Sequence, residues 1–268
     1  MKKILKKIEE KDVLIIAGIV FLFTVFLFFL FNFKERSFNF PGSGILDFGC
    51  GSVLVDSRDD SEYETVRIGD QCWFAENLKL GDVDSLSRKE SSSGWREAGE
   101  SNLPAYSVYN NDEEKKEDYG YLYNIHAVRM TGLCPDGWRI PDDEDWHILE
   151  SYLADEDQRC RPGRVGNLGC SFAGAKLKAA DDRATDSWNS PELNCDGGDL
   201  SCSGFNGLPA GARYDSGTFY GFGSGAFFWA KAEEEMTYRN LRETSGGVLR
   251  QKTEKGLGFS VRCIKEGS

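Results

Sequence analysis

Residues 134–146 read CPDGWRIPDDEDW, and this stretch carries the clearest signal for regular structure in the chain. Asp142 can cap a helix, because its carboxylate can accept hydrogen bonds from the first free backbone N–H groups. The acidic residues that follow favour the positive end of a helix dipole. Trp146, Leu149 and Leu153 then recur at helical spacing. The stretch therefore predicts a helix that packs on a core through these three side chains.

Short β-strands are predicted on both sides of this helix. Residues 53–56 and 63–68 indicate two strands joined by a polar turn, whereas residues 81–118 are rich in Ser, Glu, Asp and Lys and predict a long surface excursion. A second short helix is expected at residues 173–180. From residue 204 onward, Gly-rich turns separate short apolar runs. The predicted class is α+β, with short antiparallel strands, one or two helices and long loops.

The N-terminal region contains a candidate membrane span. Residues 13–33 read VLIIAGIVFLFTVFLFFLFNF, which is 21 residues without a charge. At about 1.5 Å per residue, such a helix is roughly 31 Å long, close to the ~30 Å hydrocarbon core of a bilayer. A cleaved signal peptide is the alternative, but its apolar region is usually about 7–15 residues and ends at a small-residue site. The length and the flank therefore favour a retained signal anchor.

The charges beside this span predict its orientation. Five lysines precede it, and only two basic residues directly follow it. The positive-inside rule then leaves the N-terminus in the cytoplasm. We expect residues 1–12 to be a cytoplasmic tail, 13–33 a transmembrane helix, 34–49 a tether and 50–268 an extracytoplasmic domain. The chain is thus predicted to be a single-pass membrane protein whose C-terminal domain is periplasmic or at the cell surface.

The charge of the exported part limits the partners that it can bind. The chain has a net charge of −12, and residues 1–12 and 34–36 contribute +2 and +1, so residues 37–268 carry −15. Nucleic acid and anionic lipid would repel such a domain, and its sequence has no basic stripe. We therefore expect no nucleic-acid partner, and we interpret the charge as a solvated surface.

The eight cysteines agree with export, because an even count in an oxidising compartment indicates disulfides. Zinc is disfavoured, since the chain has no closely spaced cysteine pair and only two histidines. Short separation along the chain suggests two of the four pairings. The third joins two cysteines that both lie in segments with the pattern of regular structure, and the fourth joins the two cysteines that remain. Roughly a hundred connectivities are formally open, so these pairings are preferences. The preferred pairs are Cys160–Cys170, Cys195–Cys202, Cys134–Cys263 and Cys50–Cys72.

Six blocks of sequence occur in the order of a known bacterial family. They read TVRIGDQCWFAENL, YGYLYN, CPDGWRIPDDEDW, AGAKLK, GFNGLPAGAR and GFSVRC. Together they resemble the Fibrobacter succinogenes major paralogous domain, with matches from about residue 53 to residue 265. The chain departs from the family pattern in the 81–118 excursion and in the cysteine-bearing loops around 160–170 and 195–202.

This resemblance implies a C-type-lectin-like fold, which is similar to that of the formylglycine-generating enzymes. Such a fold implies that the two ends of the domain pair as neighbouring strands and that a long loop region forms a variable surface. The family implies no particular activity. Its blocks have direct structural interpretations in this chain, such as core packing for the tryptophans.

No catalytic set emerges from the sequence, and we expect no enzyme activity. The motifs G-x-S-x-G, P-loop and H-E-x-x-H are all absent. His126 can in principle act as a general base, but no nucleophile is placed near it, and a structural histidine is the preferred interpretation. We expect His147 to point toward solvent from its helix. No cofactor is expected.

Calcium is the one metal that the sequence brings into consideration. Asp196 and Asp199 lie in the loop NCDGGDLSC, and oxygen-rich loops are what calcium prefers. The lectin-type E-P-N and W-N-D triplets are absent, because Trp188-Asn189 is followed by Ser190. A hydrated acidic loop without metal is therefore preferred.

The favoured hypothesis is a membrane-anchored module that binds a glycan or peptide or contacts the cell envelope. Exposed aromatic side chains often anchor such ligands. Core packing is the alternative for these residues and is expected for at least half of them. Two other hypotheses stay open: an extracytoplasmic enzyme that uses cysteine chemistry, and a purely structural surface protein. The candidate contact residues are Trp188, Tyr214, Phe228, Trp229 and Tyr238.

Overall fold

The structure is a computed structural model that divides the chain into two units, Met1–Asp47 and Phe48–Ser268. It describes residues 49–154, 160–164, 168–170, 172–179, 188–189, 202–231, 236–253 and 256–268. The predicted tail, membrane span and nearly all of the tether thus lie outside the described residues. Among the residues that are described, no helix is both long enough and apolar enough to cross a bilayer.

Fifteen strands and five α-helices are found in the described part of the second unit. The strands are β1 (Val53–Val55), β2 (Glu62–Ile68), β3 (Gln71–Phe74), β4 (Ser87–Arg88), β5 (Ala105–Ser107), β6 (Leu122–Asn124), β7 (Trp138–Arg139), β8 (Leu168–Gly169), β9 (Ala210–Arg213), β10 (Phe219–Phe222), β11 (Gly225–Ala230), β12 (Thr237–Arg242), β13 (Val248–Lys252), β14 (Gly258–Phe259) and β15 (Ile264–Lys265). The helices are α1 (Ser92–Glu100), α2 (Lys116–Tyr119), α3 (Ile125–Val128), α4 (Asp143–Leu153) and α5 (Ala173–Leu177), with two 3-10 turns at Tyr109–Asn111 and Glu113–Lys115. The α+β class and the mainly antiparallel pairing are confirmed, but the expectation of one or two helices was too low.

Helix α4 is the helix predicted from the opening stretch. The side chain of Asp142 accepts hydrogen bonds from the backbone N–H groups of Glu144 and Asp145, and the Asp145 carboxylate accepts a bond from the N–H of Asp142. This reciprocal capping box satisfies free N–H groups at the start of the helix. Trp146 and Leu149 are fully buried, so the predicted stripe faces the core.

A five-stranded sheet, in the order β1-β2-β3-β15-β7, joins the two ends of the domain. Strand β15 runs antiparallel to β3, with Ile264 opposite Trp73. The family resemblance implied such pairing of the two ends. The same strand also pairs with β7, just before helix α4.

A ten-stranded, curled sheet forms the second layer. Its order is β4-β5-β6-β14-β9-β11-β12-β13-β8, with β10 paired to β9 beside this path. The pairings are antiparallel except for β4 with β5 and β11 with β9. Strand β11 is buried on both faces, and its six residues Gly225–Ala230 separate the two large clusters of core side chains.

The segment 81–118 is more ordered than its composition indicated. It contains strands β4 and β5, helix α1 and both 3-10 turns. Several of its apolar residues, such as Leu86, Trp95 and Tyr106, are buried, whereas Leu103 is 48% exposed. The segment is still mainly at the surface, as predicted, but the prediction missed that a small number of large side chains is enough to fix a polar segment on a core.

Three predicted disulfides are present in the structure. They join Cys50 to Cys72, Cys134 to Cys263 and Cys160 to Cys170, with Cα–Cα distances of 5.7, 5.9 and 4.8 Å. Cys202 is also disulfide-bonded. Its predicted partner, Cys195, lies outside the described residues.

Candidate functional site

Three of the five aromatic contact candidates lie in the core and are not available as a surface. Phe228 and Trp229 are fully buried, and Trp188 is 2% exposed. Phe228 packs on Trp146, with ring centroids 5.6 Å apart. The indole N–H of Trp229 donates to the backbone carbonyl of Tyr123 at 2.7 Å, and that of Trp188 donates to the carbonyl of Gly207 at 3.2 Å. Core packing, the alternative interpretation, applies to all three.

The other two candidates belong to one aromatic cluster at the surface. Tyr214 is 44% exposed, and its ring stacks on that of Tyr220 with centroids 3.9 Å apart. Tyr220 contacts Phe227, which in turn lies 6.2 Å from the ring of Tyr238. We call the three partly exposed phenols, Tyr214, Tyr220 and Tyr238, the tyrosine ridge. The structure thus adds Tyr220, which the sequence analysis did not select.

The β9–β10 hairpin carries Tyr214 and Tyr220 of the ridge, and its turn has a fixed geometry. The backbone N–H of Tyr214 donates to the carbonyl of Thr218 at 2.8 Å, and the N–H of Gly217 donates to the carbonyl of Tyr214 at 2.9 Å. Gly217 has a φ of 86°, a left-handed conformation that favours glycine. The turn places Tyr214 and Tyr220 beside each other across the hairpin.

Arg213 fastens this hairpin to helix α1. Its guanidinium lies 4.6 Å from the ring centroids of both Trp95 and Phe219. It donates hydrogen bonds to the carbonyl of Gly217 and to the carbonyls of residues 89–91. Burial lowers the pKa of Arg213 to about 10, which leaves the side chain charged at neutral pH. The hairpin that carries Tyr214 is therefore a rigid support.

Two of the three phenols of the ridge, Tyr220 and Tyr238, have pKa values above the ordinary value for tyrosine. Burial raises the pKa of Tyr220, and the neighbouring phenols Tyr238 and Tyr214 raise it further. Burial also raises the pKa of Tyr238, again with a contribution from Tyr214. The hydroxyl of Tyr238 donates to the side-chain oxygen of Gln251. The ridge offers neutral aromatic faces with polar groups at the edge, which suits stacking rather than ion pairing.

An open cavity of about 420 Å³ lies next to the hairpin turn. It lies between residues 96–100 of helix α1 and the turn, and Asp215 and Ser216 form one wall directly after Tyr214. Arg96 and Glu100 supply opposite charges from the helix. The cavity is lined by Arg96, Gly99, Glu100, Asp215, Ser216 and Gly256.

A buried acidic group inside the domain is engaged in ion pairs. Glu150 is fully buried; it pairs with Arg164 and accepts a hydrogen bond from Nε of Arg239 at 2.5 Å. Sγ of Cys170 lies 3.3 Å from a Glu150 oxygen, and Cys160 completes a group whose atoms are within 4.8 Å. Both sulfurs are in a disulfide, and two arginines neutralise the carboxylate, so this group is structural rather than a metal site.

The remaining predicted site residues have structural roles or lie outside the described residues. His126 is buried, and its Nε2 lies 3.2 Å from the carbonyl oxygen of Gly99. His147 is half-buried on α4, so the expected solvent-facing position is only partly correct. The calcium candidates Asp196 and Asp199 are not among the described residues. Every cysteine in the described ranges is in a disulfide.

Strand β12 carries a further row of polar side chains, two of them partly exposed, that the sequence analysis missed. Tyr238, Asn240 and Arg242 alternate along the strand, and Leu241 between the last two is buried in the other direction. Asn240 lies opposite Phe227, and Arg242 lies opposite Gly225. We call Tyr238, Asn240 and Arg242 the β12 outer face. It shares Tyr238 with the tyrosine ridge, so the two surfaces are continuous.

The chain matches a known protein family over most of its length. The family model described as Fibrobacter succinogenes major domain matches residues 66–265, about three quarters of the chain. No curated protein and no solved structure matches the sequence. The matched range covers strands β3 to β15, which include the β9–β10 hairpin and the β12 outer face. The chain therefore belongs to the Fibrobacter succinogenes major domain family.

Proposed function

We propose that this chain is a membrane-anchored, extracytoplasmic binding module whose contact surface is the tyrosine ridge. The observation that carries the proposal is the stacking of the exposed Tyr214 on the partly exposed Tyr220, on a hairpin that Arg213 holds in place. Rigid aromatic rings lose little conformational entropy on binding and offer large neutral contact areas. The nearby cavity provides room for polar parts of a ligand.

We also propose a C-type-lectin-like fold for the domain. The antiparallel pairing of β3 with β15 supports it, because this pairing joins the two ends of the domain. The disulfide between Cys134 and Cys263 supports the same arrangement, since it ties the segment before β7 to the segment before β15. Long connections such as 81–118 then extend from a fixed frame.

The proposed location rests on residues 13–33 and on the cysteines. An uncharged run of 21 residues after a lysine-rich N-terminus is the pattern of a signal anchor. Disulfides persist in oxidising compartments, which fits a domain on the outer side of that membrane. A C-terminal alkaline phosphatase fusion tests the orientation: strong activity supports export, and an inactive fusion overturns it.

The binding function can be tested with the full chain in detergent micelles on an array of glycans and peptides, with and without calcium. We expect binding by at least one class of ligand. Tyr214→Ala should weaken that binding at least tenfold, because it removes the exposed half of the stacked pair. Tyr152→Ala is the matched control, since Tyr152 is a 65% exposed tyrosine on helix α4. No binding to any ligand, or an equal loss in both variants, overturns the proposal.

A further inference from the structure

Two polar side chains of the β12 outer face have buried atoms without hydrogen-bond partners. Asn240 is only 4% exposed, and its Oδ1 has no partner in the described part of the chain. Nε of Arg242 is likewise buried and unpartnered within those residues. A buried acceptor and a buried donor thus belong to side chains on the same side of one strand, two residues apart. The strand spacing sets them about 7 Å apart along the chain.

Unpaired buried polar atoms are costly, so their retention points to a partner from outside the fold. The rest of the β12 outer face is well satisfied: Tyr238 donates to Gln251, and the backbone of β12 pairs with both β11 and β13. Within the β12 outer face the unpaired atoms are therefore those of Asn240 and Arg242, and Oε2 of the next residue, Glu243, is also buried without a partner among the described residues. A ligand there must supply a donor to Asn240 and an acceptor to Arg242.

The surroundings of Asn240 place aromatic carbon beside this polar pair. The ring of Phe227 folds over Gly225, where an added Cβ would come within 2.7 Å of it. The same added Cβ would lie 3.7 Å from Nδ2 of Asn240. Gly225 thus lets the amide and the ring lie close together. An occupant would contact a polar edge and an apolar face at once.

A sugar matches this combination better than a peptide or an anion. Each hydroxyl both donates and accepts, so a pair of hydroxyls can satisfy Asn240 and Arg242 together. The C–H face of a pyranose ring can at the same time cover the aromatic carbon of the ridge. Residues 37–268 carry a net charge of −15, and Glu243 follows Arg242 directly, which disfavours an acidic ligand.

We infer that the β12 outer face is a subsite for a neutral glycan, in which Asn240 and Arg242 recognise hydroxyl groups while the tyrosine ridge stacks on the sugar ring. This inference rests on the proposed binding function and names the ligand class of the same surface. Asn240 and Arg242 are then the specificity-determining residues, and Tyr214 and Tyr220 supply contact area.

The test is affinity electrophoresis of the full chain in detergent with three probes: hydroxyethylcellulose and galactomannan as neutral glycans, and polygalacturonate as an acidic one. We expect retardation by at least one neutral probe and weaker retardation by polygalacturonate. Asn240→Leu, which preserves the approximate volume, should reduce that affinity at least tenfold, and Arg242→Met at least threefold. Tyr152→Ala should leave it unchanged.

The melting temperature of the free protein distinguishes recognition from a structural role. If Oδ1 of Asn240 has no partner in the fold, Asn240→Leu should melt at the same temperature as the parent or higher. A variant that loses both stability and affinity contradicts the inference, since Asn240 then has a partner within the protein or an internal water. Unchanged affinity in Asn240→Leu contradicts it as well.

The outcomes also separate this inference from the proposed function. If the array shows peptide binding that depends on Tyr214 while neutral glycans do not bind, the binding module stands and the glycan subsite is wrong. The glycan subsite is also wrong if polygalacturonate binds more tightly than both neutral probes. If no glycan and no peptide binds, both proposals fail.

Discussion

Asp143 and Arg250 form a two-pronged ion pair between the first turn of helix α4 and strand β13. Nε of Arg250 donates to Oδ1 of Asp143 at 2.7 Å, and Nη2 donates to Oδ2 at 2.8 Å. Arg239 of strand β12 adds a bond to the same Oδ1 at 2.8 Å. One carboxylate therefore links the helix to two neighbouring strands of the sheet that carries the β12 outer face.

This arrangement predicts a specific loss of stability in acid. Burial pushes the pKa of Asp143 up, but the hydrogen bonds and charges of Arg250 and Arg239 outweigh it and lower the pKa to about 2. Because an unfolded aspartate titrates near pH 4, the stabilisation is complete above that pH and is lost as the pH falls toward 2. It corresponds to roughly 2 kcal/mol of unfolding free energy.

Asp143→Asn should lower the free energy of unfolding by about 3 kcal/mol at pH 7, since two buried guanidinium groups lose a shared countercharge. Between pH 5 and pH 2.5, the free energy of unfolding of the variant should also fall less than that of the parent, because the variant lacks the carboxylate that titrates. Urea unfolding at several pH values measures both effects. Glu144→Gln is the control, because Glu144 lies in the same helical turn and makes no ion pair among the described residues, and it should change stability by less than about 0.5 kcal/mol. An unaltered acid profile in Asp143→Asn contradicts the prediction.

The disulfides should differ in their contributions to stability. Cys134 and Cys263 are 129 residues apart, whereas Cys50 and Cys72 are 22 apart. Because a longer loop removes more entropy from the unfolded chain, the chain-entropy model assigns about 5 kcal/mol to the first bridge and about 3 kcal/mol to the second.

Paired alanine variants test this order. Cys134→Ala with Cys263→Ala should melt below Cys50→Ala with Cys72→Ala, because the first pair also holds the region before β7 to the end of the chain. Thermal unfolding by circular dichroism, with the remaining bridges intact, makes the comparison. A larger loss in the Cys50–Cys72 variant would show that strain or residual structure outweighs loop length.

Local signals predicted the parts of the fold that depend on local physics. The cap at Asp142 and the stripe from Trp146 to Leu153 need only a few neighbouring residues, and helix α4 formed as expected. The short cysteine separation of 160–170 likewise limited the pairing. The buried Arg239 and Arg250 were not predicted, because their partners on α4 are about a hundred residues away in sequence.

The candidate surface was harder to predict because strand β11 has no exposed face. Phe228 and Trp229 are consecutive and point to opposite sides, yet both are buried. Sequence alternation cannot reveal this when a sheet is covered on both faces. Tyr220 and Asn240 were missed because their neighbours are set by the pairing of strands, which the sequence pattern does not show. Tyr220 stacks on Tyr214 across a hairpin, and Asn240 lies opposite Phe227 on the neighbouring strand.

Lys178 should produce a rise in stability at alkaline pH. Burial lowers the pKa of Lys178 to about 8, and the charge of Glu243 offsets this only in part. The ammonium form is therefore disfavoured in the folded state. From about pH 8 to about pH 10.5 the unfolded lysine is still protonated while the folded one is not, so the free energy of unfolding increases by roughly 3 kcal/mol.

The difference between the parent and Lys178→Met isolates this contribution, because the other titrating groups are common to both. The difference should change by roughly 3 kcal/mol between pH 8 and pH 10.5, in favour of the parent at high pH. Lys231→Met, at an exposed position, should follow the parent across the range. A constant difference between the parent and Lys178→Met would mean that Lys178 titrates as it does in water.

Gly217 should be the most sensitive glycine of the binding surface. Both Gly217 and Gly132 have positive φ, at 86° and 77°. A Cβ at Gly132 would have open space, but one at Gly217 would lie 2.3 Å from Cα of Ser92 in helix α1. Gly132→Ala should therefore lower the free energy of unfolding only by the strain of the left-handed conformation, about 1–2 kcal/mol. Gly217→Ala adds a backbone clash, so it should lower the free energy of unfolding by roughly 1–3 kcal/mol more than Gly132→Ala does.

The clash at residue 217 has a consequence for binding as well as for stability. The carbonyl of Gly217 accepts from Nε of Arg213, so moving the turn away from α1 loosens the support of Tyr214. We expect Gly217→Ala to weaken ligand binding at a temperature where both variants are still folded, and Gly132→Ala to bind like the parent. Melting curves and affinity measured on the same samples separate the two effects. Equal affinity in Gly217→Ala and Gly132→Ala would mean that the ridge does not need a rigid hairpin.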